Sequence, residues 1–261
     1  MKIAGSVSVI SGASSGIGEA TARLLAAKGS HVIILARDAD RLEKVAADIR
    51  SENGVAHAYP VDLGDAAALA ATAARIVAEH GSPDILFNNA GAGRWLPLLE
   101  TSAEEAAAMM ALPYLAAFNL TRELLPAMLK KGSGQIVNIT SVACRLPWPG
   151  AVAYGAARAA VAAFTNALRS DIRGSGVSVT LAIFGTVETK YWKTNPGSRE
   201  HLPAIAAAIR VLTQEEVAEA IVRGIERNRR EIVQPGIFKA LFLLNALFPA
   251  MVARLLAVRQ T

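Results

Sequence analysis

The chain has 261 residues and a mass of 27.3 kDa, enough for one large core, since single cores stop growing near ~250–300 residues. Apolar residues make up 52% and charged residues 19%, which excludes a disordered or fibrous chain. The single cysteine, Cys144, excludes a disulfide scaffold and a multi-cysteine metal site. The net charge of +5, with a pI of 9.6, is compatible with an anionic ligand, nucleic acid or acidic lipid, so the placement of the charges has to decide.

The first element is a β-branched run, Val7–Ile10. Met1-Lys2 and the small apolar residues after it do not make a secretory signal, because turn-forming glycines and serines begin at Ser11. A helical segment, Ile17–Lys28, follows, and the alternation continues: strand His31–Leu35, helix Asp40–Glu52, strand Ala56–Val61, helix Ala66–His80, strand Ile85–Phe87. Later strand runs are Gln135–Ile139, Val177–Ile183 and Glu231–Val233. Continuous apolar strands alternating with helices predict βαβ units around a mostly parallel sheet covered on both faces, in a single domain. Ile237–Val258 has about the length of a membrane span, but Lys239, Asn245, Pro249 and Arg254 are each costly at mid-bilayer. It reads as two short apolar helices broken at Pro249. A soluble, cytoplasmic protein is expected.

The first strand leads directly into Ser11-Gly12-Ala13-Ser14-Ser15-Gly16-Ile17-Gly18 and a helix. Glycines here permit a tight turn and close backbone approach to a pyrophosphate, and the helix N-terminus points positive charge at it. An empty structural turn is the alternative, but the position between first strand and first helix favours nucleotide binding.

The G-x3-G-x-G spacing resembles the short-chain dehydrogenase/reductase family. Asn88-Asn89-Ala90-Gly91 after the fourth strand is similar to that family's second signature, and Asp62-Leu63 to its adenine-facing position. The resemblance covers about residues 5 to 190. It implies a Rossmann-type doubly wound, mostly parallel seven-stranded sheet with helices on both faces, one domain over 1–261 and a substrate-loop region at about 186–212. It also implies a cofactor site of Gly12, Ser14, Ser15, Gly16, Ile17, Gly18, Asp62, Leu63, Asn89, Ala90 and Gly91, continued by Tyr154, Arg158, Gly185, Val187 and Thr189. An acidic residue at the end of the second strand would select NAD through the ribose 2′-hydroxyl. Here Ala36 is followed by Arg37, which favours the 2′-phosphate of NADP(H). Asp38 falls where a helix N-cap belongs.

Ser141 closes the fifth strand and Tyr154 follows 13 residues later, the spacing of family members that reduce carbonyls. The resemblance assigns Tyr154 as proton donor and acceptor and Ser141 as the group that orients the carbonyl oxygen, with hydride arriving from the nicotinamide. The family places a lysine one helical turn after the tyrosine. This chain has Arg158, which keeps a positive charge but cannot release a proton. The family's catalytic asparagine falls, counting back 13 residues from Pro126, on Pro113, which lacks both a side-chain amide and a backbone N–H. The ordinary proton relay is therefore not expected. Phe184-Gly185 stands for the family's Pro-Gly, and Cys144 for a glycine. Cys144 reads as a small buried thiol rather than a reactive one activated by Arg145.

All three tryptophans fall in the loops after the fourth, fifth and sixth strands, beside Arg94, Arg145, Lys190 and Lys193. Trp95, Trp148 and Trp192 are expected to line a pocket for a hydrophobic small molecule. The alanine-rich run Ala156–Ala163 allows close helix approach, which suits the family's subunit pairing and predicts a homodimer or homotetramer. Nucleic-acid binding is not expected, since no recognition motif accompanies Arg227, Arg229 and Arg230. The terminal helices are expected to dock on the domain or a subunit, with peripheral lipid contact the lesser alternative. Two functional classes remain: an NADP(H)-dependent oxidoreductase, or a weak or inactive homologue that binds cofactor as sensor, scaffold or partner subunit.

Overall fold

The computed structural model describes residues 1–198, 201, 202, 206 and 208–257, apart from the side chain of residue 193. Every strand-like run in the sequence becomes a strand, and the alanine- and leucine-rich segments between them become helices. The first half runs β1 (Val7–Ser11), α1 (Gly16–Ala27), β2 (His31–Ala36), α2 (Ala39–Ser51), β3 (Val55–Pro60), α3 (Ala66–His80) and β4 (Ile85–Asn88). Then come α4 (Ala103–Met110), α5 (Ala116–Lys131), β5 (Gly134–Ser141), α6 (Val152–Asp171) and β6 (Val177–Phe184). A minor pair, β7 (Val187–Glu188) and β8 (Leu212–Thr213), brackets the short α7 (Tyr191–Thr194). The chain continues through α8 (Gln214–Glu226), β9 (Glu231–Gln234), α9 (Ile237–Leu247) and α10 (Pro249–Leu256).

The main sheet has seven parallel strands in the order β3-β2-β1-β4-β5-β6-β9. Its strands are apolar on both faces because helices cover both. One core packs Ile10, Ile34, Phe87 and Val137 against α1, α2 and α8; the other packs Val9, Leu35, Leu86 and Ile136 against α3, α5 and α6. Chain direction reverses across the sheet between β1 and β4, so the loops leaving their carboxyl ends splay apart and open the crevice where doubly wound sheets bind ligands. Registers Ser11↔Leu35, Asn88↔Asn138 and Ser141↔Phe184 bring the strand ends to one edge.

Local chemistry fixes the helix starts. Asp38 caps α2 by accepting the Arg41 N–H at 3.0 Å, and Asp65 caps α3 through Ala67 and Ala68. Ser102 with Glu105 and Thr213 with Glu216 form capping boxes. Helix α1 is different: its N-cap, Ser15, makes no side-chain capping bond. A buried polar chain ties the strands to the helices below the crevice. The Asn88 amide donates to Thr121 at 2.9 Å and to Asn138 at 2.8 Å, and the Asn138 amide donates to Thr165 at 3.0 Å.

Pro113 breaks the helical line as its chemistry requires. Leu112 before it is extended (φ −127°, ψ 106°), and a widened turn over Ala111–Leu115 joins α4 to α5. The freed Leu112 carbonyl accepts the Ala92 N–H at 3.3 Å. The C-terminal apolar stretch is indeed two helices, parted at Phe248-Pro249. None of the described helices is long and apolar enough to cross a membrane.

Candidate active site

A cleft of about 800 Å³ opens at the carboxyl edge of the sheet. It runs from the β1–α1 loop, past the ends of β4 and β5, to α7 and α9. Nearly every residue singled out in the sequence lines it: Gly12, Ser14, Ser15, Gly16, Ile17, Arg37, Asp62, Leu63, Asn89, Ala90, Gly91, Ser141, Tyr154, Arg158, Gly185, Val187, Thr189, Trp95, Trp148 and Trp192. Gly18 is the exception. It sits behind the loop, where a Cβ would lie 2.3 Å from the Gly12 carbonyl oxygen and 2.5 Å from the Asn89 amide nitrogen. There it lets α1 press against the loop.

The loop is held open by a brace. Asn89 Nδ2 donates to the Ser11 and Gly12 carbonyls at 3.1 and 3.0 Å, and Ser11 Oγ accepts the Asn89 and Ala90 backbone N–H groups. Gly12 takes φ +67°, and a Cβ there would meet Ala90 Cα at 2.8 Å. The uncapped α1 terminus, the loop glycines Gly12 and Gly16 and the absence of an acidic side chain at Ala36 together fit the phosphates and ribose of a dinucleotide. Beyond the end of β2 Arg37 is exposed and has no carboxylate partner among the described residues. Arg41, which sequence reading missed, joins it one helical turn later, with its Nε 3.1 Å from Asp38. Asp38 spends its carboxylate on the helix cap and on Arg41.

At the reacting end Tyr154 is 9% exposed and packs its ring 5.5 Å from Trp95, which in turn lies 6.0 Å from Trp148. Such pairs contribute about 0.5–1.5 kcal/mol beyond area burial and hold the rings in place. Phe238 on α9 continues the wall, 6.5 Å from Trp148. A side chain at Gly185 would collide with it, since a Cβ would lie 2.7 Å from Phe238 Cε2. The Tyr154 hydroxyl makes no hydrogen bond within the described residues. Ser141 Oγ accepts the Ala143 N–H at 3.3 Å, which leaves its own proton to give.

Arg158 lies one turn along α6, with its guanidinium carbon 4.7 Å from the centre of the Tyr154 ring. It is only 8% exposed, and its terminal nitrogens sit where a Cβ at Gly91 would approach to 2.9–3.0 Å. Among the described residues no carboxylate faces it, and its Nε is buried without a partner. A buried, unpaired cation is costly unless a ligand meets it.

A second phenol, unforeseen in the sequence, stands beside the first. Tyr191 donates to the Gly93 carbonyl at 2.6 Å, and burial, reinforced by the neighbouring Tyr154, pushes it well above the ordinary tyrosine range. It stays protonated and tied down. Trp192 stacks edge-on against it at 5.1 Å and donates its indole N–H to the Val187 carbonyl. Of the four basic side chains beside the tryptophans, two are paired within the fold. Arg94 pairs with Glu105 at 2.7 Å, and Arg145 binds Glu231 at 3.1 Å and covers Phe242. Lys190 lines the cleft; the Lys193 side chain lies outside the described residues. Burial pushes the Cys144 thiol up to about 12, against which the nearby Arg145 charge is the smaller effect, so its thiolate is disfavoured near neutral pH.

The short chain dehydrogenase family model matches residues 6–199, and the chain belongs to that family. It is 32% identical over 233 residues to the probable oxidoreductase EphD of Mycobacterium tuberculosis, an alignment covering 84% of this chain and 39% of EphD, so the chain spans about two fifths of that relative. A short-chain dehydrogenase/reductase from Burkholderia phymatum in complex with NAD superposes with a TM-score of 0.86 at 26% identity, covering 96% of both chains. One from Sphingobium yanoikuyae in complex with NADPH gives 0.80 at 28% identity, covering 98% of this chain and 97% of that one. Each of these two neighbours holds a nicotinamide dinucleotide on the fold that this chain shares.

Proposed function

We propose that the protein is an NADP(H)-dependent oxidoreductase that interconverts a carbonyl and an alcohol on a hydrophobic small molecule. The observation that carries this reading is the Tyr154 hydroxyl, free among the described residues, on a ring that packs against the Arg158 guanidinium and Trp95 in the same cleft as the phosphate loop. Bound between loop and cleft floor, the cofactor supplies or accepts a hydride. Gly12, Ser14, Ser15, Gly16 and Ile17 hold its pyrophosphate; Asp62 and Leu63 flank the adenine; Asn89, Ala90, Gly91, Gly185, Val187 and Thr189 border the nicotinamide half. Arg37 and Arg41 select the 2′-phosphate.

The chemistry at the substrate oxygen belongs to two hydroxyls. Ser141 donates its proton in a hydrogen bond that orients the carbonyl, and Tyr154 delivers a proton to the same oxygen in reduction or removes it in oxidation. Arg158 supplies a permanent positive charge where negative charge develops. It does not pass a proton on, and buried Pro113 carries no side-chain amide to hold a relay water, so the proton on Tyr154 is replaced from the cleft side. Trp95, Trp148 and Phe238 exclude water and grip an apolar substrate, with Trp192 at the rim. The outer face of α5 and α6, where Phe118 and Val152 are exposed, is the surface proposed for the homodimer or homotetramer.

Turnover of NADPH against a panel of apolar aldehydes and ketones tests the proposal. Tyr154→Phe is expected to reduce kcat by at least ~10²-fold while leaving NADPH affinity within a few-fold. A variant as active as the wild type sinks it. Pro113 and Arg158 favour one other reading, a cofactor-binding homologue with little activity. Arg158→Lys separates the two: rate rises in a weakened enzyme and falls in a cleft built around arginine.

A further inference from the structure

The outward face of the C-terminal hairpin serves nothing described above. On its inner side Phe238, Val252 and Leu256 are almost completely buried, and Asn245 donates to the Arg145 carbonyl at 3.0 Å, so the hairpin is fastened to the domain. On its outer side Ile237, Leu243, Leu247, Phe248, Met251 and Leu255 are 44–64% exposed. Leu243 and Leu247 stand one turn apart on α9, and Met251 and Leu255 one turn apart on α10, so each helix carries an exposed apolar pair on one face.

Charge says what covers these residues. From Ile232 to the end of the sequence there are three basic residues, Lys239, Arg254 and Arg259, and no aspartate or glutamate. Lys239 and Arg254 are exposed and make no ion pair among the described residues; Arg259 lies outside them. A twofold contact with a second copy would bring like charges together with no acid to meet them. A sheet of acidic headgroups over apolar chains complements both features.

We propose that the outer face of α9 and α10 docks on an anionic lipid bilayer, lying in its interface without crossing it. The helices have 11 and 8 residues, too short to span. The same α9 that rests on lipid presents Phe238 to the substrate cleft, so the docked protein holds one wall of that cleft next to the apolar phase.

The test is co-sedimentation of the full chain with vesicles of phosphatidylcholine alone and of phosphatidylcholine mixed with phosphatidylserine. The protein is expected to pellet with the mixed vesicles and to be released by salt, with binding to the neutral ones at least tenfold weaker. The double variant Leu247→Glu, Met251→Glu should lose binding at least tenfold, and Lys239→Gln or Arg254→Gln about fivefold each. Unchanged melting temperature and NADPH affinity verify that the variants fold. Failure of the wild type to pellet with either vesicle, or equal pelleting of the glutamate variant, overturns the proposal. So does a wild type that stays in the supernatant while the glutamate variant changes oligomeric mass by analytical ultracentrifugation, which would assign these residues to subunit contact.

Discussion

Replacing Arg158 by methionine is expected to make the cofactor-free protein more stable and the enzyme worse. Arg158 is 8% exposed as a residue, its Nε is buried without a partner, and its favourable side-chain contact among the described residues is the Tyr154 ring at 4.7 Å. That cation–π contact is worth ~0.5–2 kcal/mol. A thioether against the same ring restores ~0.3–1.5 kcal/mol. Removing an unsatisfied buried donor relieves ~1–3 kcal/mol, more when the group is charged. The balance favours methionine by about 1–2 kcal/mol, which for a chain of this size raises Tm by roughly 2–4 °C. Calorimetry without cofactor reads this directly. With NADPH present the stabilisation on binding should shrink in the variant, and kcat should fall by ~10²-fold as the fixed positive charge is lost. An unchanged or lower cofactor-free Tm would refute the claim that Arg158 is held at a cost for the sake of a ligand.

Gly18→Ala places a methyl 2.3 Å from the Gly12 carbonyl oxygen, so the loop must move. The variant should lose ~1–3 kcal/mol of stability in urea and bind NADPH at least tenfold more weakly; wild-type affinity would show that the loop does not need α1 so close. Cys144 gives a pH prediction. Its thiol is raised from 9 to about 12 in the fold, so the folded chain keeps a proton there that the unfolded chain loses. The thiol's contribution is fully present below pH 9 and is lost as pH rises toward 12. Cys144→Ala should flatten that alkaline limb of a melting curve, and iodoacetamide at pH 8 should label the native thiol ~10²-fold or more slower than the unfolded one. Equal labelling rates would contradict the assignment.

The fold was legible because each strand and helix announces itself by period and by turn residues, and strand–helix alternation admits few topologies. The phosphate loop was legible from its place between the first strand and the first helix, whereas Ser141 and Tyr154 were legible through the family resemblance, since the 13-residue interval between them spans the end of β5, a loop and the start of α6. What escaped depends on distant partners. Arg94 and Arg145 stand in the sequence only as charges beside the tryptophans, and their partners Glu105 and Glu231 lie 11 and 86 residues away. Phe238 and Tyr191 reach the cleft only because the chain returns to it after β6, and no local pattern marks either as a wall or as a second phenol. Gly18 shares the loop's glycine spacing while serving helix packing, a distinction visible only in the clash its Cβ would make. Arg41, by contrast, was within reach of sequence reading, since it lies one helical turn beyond Arg37 at the start of α2.

The central claim is that the cleft binds a nicotinamide dinucleotide and that Arg37 and Arg41 favour the phosphorylated one. Titration of the protein with NADPH and with NADH, followed by nicotinamide fluorescence, tests both parts at once. Binding of NADPH at least tenfold tighter than NADH is expected, with Arg37→Ala and Arg41→Ala combined removing the difference by weakening NADPH alone. Equal or tighter binding of NADH would contradict the cofactor preference, and no binding of either would contradict the account of the cleft itself.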